Sequence, residues 1–83
     1  MEEREIGKVT HYFTKIGVAV IELTDELKVG DTIHIKGATT DFQQSVESMQ
    51  IEHEPVESAG AGQAIGLKVE ERVRKGDTVY KLV

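Results

Sequence analysis

Apolar and polar positions alternate along most of this chain, in short runs rather than one long stripe. Ile33 and Ile35 face one way, while Thr32, His34 and Lys36 face the other. Ile65, Leu67 and Val69 alternate in the same manner with Gly66 and Lys68. The pattern predicts six strands, at about 7–13, 17–23, 31–36, 41–51, 63–69 and 78–82. The fourth strand loses phase: Phe42, Gln44 and Val46 share one parity, whereas Met49 and Ile51 share the other. A β-bulge near Glu47-Ser48 would bring both sets onto the core face. The second strand is apolar on both faces through Ile16, Val18, Ala19, Val20 and Ile21. It is therefore expected to be covered on both sides or to sit against a partner. Segments 22–27 and 47–54 have some helical composition, yet neither holds a 3.6-residue apolar stripe long enough to stand alone.

One phrase occurs twice and punctuates the strands. It is Leu27-Lys28-Val29-Gly30-Asp31-Thr32-Ile33, then Val73-Arg74-Lys75-Gly76-Asp77-Thr78-Val79. Glycine supplies a positive φ and aspartate can bond the backbone of its own turn. Each copy opens an apolar strand. A long link from His53 to Gly62 carries the single proline, Pro55, and the soft run Ser58-Ala59-Gly60-Ala61-Gly62. These features indicate a small all-β domain occupying 1–83, with its ordered part from about 6 to 82.

Composition narrows the function classes. The 83 residues carry a formal net charge of −5 and contain no cysteine. A thiolate metal site and a disulfide framework are both excluded, which fits a reducing, cytoplasmic setting. No apolar stretch approaches a membrane span, and the acidic start Met1-Glu2-Glu3-Arg4-Glu5 is unlike a secretory leader. A general nucleic-acid binder would be basic, so recognition of RNA would have to rest on a local patch. Arg72, Arg74 and Lys75 form the one basic cluster, directly after Glu70-Glu71, and read as a solvated loop.

Motifs for catalysis are missing. Gly60-Ala61-Gly62 with Gly66 has the wrong spacing for a dinucleotide fingerprint, because Ile65 sits where the third glycine belongs. Gly7-Lys8 lacks the upstream glycine of a phosphate loop and is followed by Val9, so GTP binding and hydrolysis are not expected. His11, His34 and His53 are scattered. Glu52-His53-Glu54 alternates across a strand rather than converging on a metal. Ser45 and Ser48 lack a nucleophile elbow. The aromatics Tyr12, Phe13, Phe42 and Tyr80 serve core and strand roles as well as they would serve base stacking. No cofactor, metal or catalytic residue is assigned.

Several phrases in order resemble the second domain of translational GTPases, the β-barrel of elongation factor Tu. They are Leu27 to Ile35, Val46-Glu47-Ser48-Met49, Val56 through Gly62, Ile65-Gly66-Leu67 and Arg74 to Val79. The chain is also similar to the barrel that ends some collagenase-like peptidases. The resemblance spans about 7–82 and implies a closed six-stranded Greek-key barrel. It implies a non-catalytic binding module whose partner is tRNA or a ribonucleoprotein. The alternative is a protein-interaction domain serving a separately encoded enzyme, such as a collagenase-like peptidase. By the match at Val46-Glu47, the glutamate that meets a terminal adenosine in the factor falls on Glu47. The arginine three positions later falls on Gln50, which removes a cation. Glu47 and Gln50 are therefore the candidate ligand-binding residues.

Overall fold

The computed structural model describes residues 2–83. No helix occurs among them. Ten strands follow in chain order: β1 Glu3–Phe13, β2 Val18–Leu23, β3 Leu27–Lys28, β4 Thr32–Lys36, β5 Asp41–Ser45, β6 Met49–Ile51, β7 Glu54–Val56, β8 Ser58–Ala59, β9 Ala64–Lys68 and β10 Thr78–Leu82. Eight form one antiparallel sheet in the order β5-β4-β10-β1-β2-β9-β6-β7, and β3 pairs with β8 in a separate ribbon. The all-β expectation from period-two alternation holds.

The expected closed six-stranded barrel is corrected by these ladders. The sheet has two ends, β5 and β7, and no strand ladder joins them. It is nevertheless strongly curled. β5 and β6 stand first and seventh in the order, yet only residues 46–48 separate them. In a flat sheet, strands six places apart would lie about 29 Å from one another. Four residue steps reach about 14 Å at most. The chain can make this crossing only if the sheet folds round until its ends approach. Two register shifts in β1, between Glu5 and Gly7 and between Val9 and His11, bend the long strand that joins β10 to β2.

The break in phase at 46–48 thus has a different cause from the expected bulge. Phe42, Gln44, Val46 and Met49 are all buried, as the pattern required. They reach the core from two strands with different neighbours: β5 pairs with β4, and β6 pairs with β7 and β9. A bulge adds a residue within one ladder, whereas here the chain leaves one ladder for another.

Inside the curl, Ile6, Ile21, Leu23, Ile33, Ile35, Ile65, Leu67 and Val79 are essentially shielded from water. Each such side chain contributes roughly 1.5–3 kcal/mol through removal of apolar surface. The two Gly-Asp turns are built alike. Gly30 and Gly76 have φ of 99° and 95°. The Asp31 carboxylate accepts from the Lys28 N–H at 2.9 Å, and Asp77 accepts from the Arg74 N–H at 2.9 Å. The repeated phrase therefore encodes one turn used twice, to launch β4 and β10.

Candidate functional site: a groove at the open seam

Gln44 stands at a core position of β5 with only 7% of its surface exposed. A buried amide costs stability unless its polar atoms find partners. Its Nε2 donates to the Lys68 carbonyl at 3.0 Å, and its Oε1 accepts from the Glu70 N–H at 2.8 Å. One side-chain amide thereby bonds two backbone groups at the end of β9, as a neighbouring strand would. It ties β5 to the end of β9, two strands that share no ladder.

Over this tie lies an open groove of about 740 Å³, lined by Gln44, Ser45, Glu47, Ser48, Lys68, Val69 and Glu70. Glu47 sits on the crossing segment and is exposed. Two carboxylates, one ammonium and two hydroxyls give the groove a polar wall with a surplus of negative charge. Such a wall accepts hydrogen bonds from amines, guanidinium groups and peptide N–H groups, and repels phosphate.

Gln50 does not join Glu47 in this groove. It lies exposed on β6, opposite Pro55 on one side and Gly66 on the other. The register carries the same row onward through Val20 to His11. His11 and Phe13 lie with ring centroids 4.4 Å apart on the same stretch of β1. The two candidates therefore belong to different surfaces. The doubly apolar second strand is resolved here as well. Ala19, Ile21 and Leu23 point into the core, while Val18 and Val20 are half-buried outside it. Ile16 and Phe13, at 63% and 44% exposure, mark the tip of the β1–β2 hairpin.

A second constellation escaped the sequence pattern. His34 on β4 is 9% exposed. Its Nδ1 lies 2.5 Å from Oε2 of Glu3 on β1, and its Nε2 contacts the Asp41 carboxylate on β5. Hydrogen bonds to Asp41 and Glu3 raise the His34 pKa above its usual value, against the opposing effect of burial. Hydrogen bonding to His34 holds Asp41 below the usual carboxylate range. With both ring nitrogens engaged, His34 has no free nitrogen to bind a ligand or metal. His11 and His53 lie on β1 and in the β6–β7 turn, so the three histidines occupy separate elements. Among the described residues no group of three or more histidine or acidic side chains is arranged to hold a metal ion. Among them, too, no helix is long and apolar enough to cross a membrane.

The sequence assigned no catalytic role to Ser45 or Ser48 and did not single out Lys68 or Glu70 as site residues. They come together only because the sheet curls. One signal was available: Gln44 shares the parity of Phe42 and Val46, and a polar residue at a core position must find partners.

No protein-family model matches the chain. It is 49% identical over 94% of its length to an uncharacterized protease of Methanocaldococcus jannaschii. It is 42% identical over 92% of its length to a collagenase of Porphyromonas gingivalis. The chain spans about a fifth of each: 19% of the first and 22% of the second. Identity at this level over nearly the whole chain indicates common descent with that part of these proteins. Among solved structures, it resembles the C-terminal domain of a Geobacillus thermoleovorans protein assigned to the U32 peptidases. The TM-score is 0.90 at 20% identity, covering 96% of this chain and 93% of that one. The selenomethionine form of the same domain gives 0.88. These structures share the fold. The comparisons support the likeness to collagenase-like peptidases that the sequence suggested; they do not support the likeness to elongation factor Tu.

Proposed function

We propose that this chain is a non-catalytic β-domain that serves a U32-type peptidase by holding a polypeptide for it. The observation that carries this reading is the reach of the similarity. It covers over nine-tenths of this chain but only about a fifth of each protease. The chain thus corresponds to one module of a larger enzyme, and it matches in fold a domain solved separately from the rest of its protein. The absence of a nucleophile elbow and of a phosphate loop agrees with a binding role. So does the groove, whose carboxylates suit amines and peptide donors better than a phosphate track. Lack of cysteine fits a cytoplasmic setting.

The test uses the M. jannaschii protease lacking the segment that this chain matches. Cleavage of a fluorescent unfolded polypeptide is followed with and without the chain. The expected result is no cleavage by the chain alone, stable association with the truncated protease, and increased cleavage when both are present. Hydrolysis by the isolated chain would overturn the non-catalytic reading. Failure to associate, together with binding to an RNA ending in CCA, would return the elongation-factor reading to first place.

A further inference from the structure

We propose that the outer edge of β5, together with the groove beside it, binds an extended polypeptide bearing basic side chains as an added β-strand. This inference rests on the peptidase reading above for its choice of polypeptide.

β5 ends the sheet, and among the described residues its one ladder partner is β4. The direction of its backbone groups follows from two hydrogen bonds just beyond it. The Val46 N–H donates to Asp31 at 2.8 Å, and Gly30 donates to the Val46 carbonyl at 2.8 Å. In an antiparallel ladder, alternate residues bond to the same neighbour. Phe42 and Gln44 therefore turn their backbone groups towards β4, and Asp41, Gln43 and Ser45 turn theirs outwards. All three outward residues are exposed. The edge thus offers three N–H donors and three carbonyl acceptors at the spacing of a strand.

The two ends of the sheet are treated differently by the sequence. β7 carries Pro55, opposite Gln50 in a hairpin whose closing pair is Ile51 and Glu54. That register places the proline nitrogen on the outer side, where it removes a donor and blunts the edge. β5 has no proline, lysine or glycine and no register shift. The β7 edge loses a donor, whereas the β5 edge keeps all of its donors and carries a single charge, Asp41, at its first position.

Charge chooses the occupant. Glu47 and Glu70 line the groove beside this edge, against one cation, Lys68. A strand added to β5 would place alternate side chains along that wall, where lysine or arginine would be favoured. A nucleic-acid backbone would be repelled.

The experiment titrates this chain with a fluorescent, proline-free ten-residue peptide alternating valine and lysine. The comparison peptides are a glutamate counterpart and a version methylated at every backbone nitrogen. Saturable binding of the lysine peptide below about 1 mM is expected. The glutamate peptide should bind at least about tenfold more weakly, and the methylated peptide should not bind. Ser45→Pro removes an outward donor without touching the β4 ladder, and should weaken binding about tenfold. Exchanging Glu47 and Glu70 for lysine should reverse the preference between lysine and glutamate peptides. Equal binding of the methylated peptide by the wild-type chain overturns the proposal, whether or not Ser45→Pro folds. So does no saturable binding, or tighter binding of an RNA oligonucleotide than of the lysine peptide. Peptide binding without any effect on the truncated protease would keep the edge and remove the peptidase reading. Association without peptide binding would do the reverse.

Discussion

His34 and Glu3 meet at 2.5 Å across the sheet, joining β4 to the first residue of β1. β10 lies between these two strands. The imidazole is held from its other side by Asp41 of β5, so one ring links three strands at the open end of the sheet.

This clasp makes stability depend on pH in two directions. The His34 pKa is raised in the folded protein, so its contribution is complete below the unfolded value near 6.5 and is lost as pH rises through the folded value. The Asp41 pKa is lowered, so its contribution is present above 3.8 and is lost as pH falls through the folded value. Cross-strand neighbours of His34 are Tyr80 and Gln43. The denaturant midpoint should therefore be highest between about pH 4 and 6.5. His34→Gln should flatten the fall on the alkaline side. An unchanged profile in that variant would show that the clasp carries none of the dependence.

The Gln44 tie is expected to matter more for stability than its surface chemistry suggests. Gln44→Leu keeps the volume but leaves the Lys68 carbonyl and the Glu70 N–H without their partner. A loss of roughly 1–3 kcal/mol in urea unfolding is expected. Faster amide exchange at Glu70 should accompany it.

The β6–β7 hairpin carries strain that substitution can relieve. Glu52 and His53 have φ of 51° and 66° in a two-residue loop closed by Ile51 and Glu54. Positive φ at both positions is the geometry that Asn-Gly adopts readily. Glu52→Asn with His53→Gly should raise stability by about 1 kcal/mol, read from thermal melting. A fall would mean that one of these side chains holds the turn through a contact of its own.

The two Gly-Asp turns should respond unequally to loss of their aspartates. Asp31 and Asp77 make the same bond to the residue three positions earlier. Asp77 is 5% exposed, whereas Asp31 is only half-buried. Asp77→Ala leaves the Arg74 N–H deprived of its acceptor in drier surroundings and should cost more, by about 1 kcal/mol in urea unfolding. Equal losses would remove burial as the deciding factor.

The positions of β1, β2, β4, β9 and β10, the core parity along them and the two repeated turns were legible in the sequence alone, whereas the single strand expected at 41–51 is β5 and β6, and β3, β7 and β8 were not read from it. The legible features are local matters: alternation sets which face is apolar, and a Gly-Asp pair sets a turn. The pattern also marked Gln44 as a polar residue among core positions, and marked the loss of phase after Val46. It could not say what either meant. The same loss of phase serves a bulge within one ladder or a crossing between two, and only the pairing partners distinguish them. Pairing decided that β5 and β6 belong to opposite parts of a curled sheet. That choice brought Glu47 beside Lys68 and Glu70, and left Gln50 on another surface. It also set His34 between Glu3 and Asp41, residues 31 and 7 positions away. The groove, the free edge and the clasp arise from contacts between distant segments. Which distant strands meet is settled by how the whole apolar face is buried, a property of the assembled sheet and of no single segment.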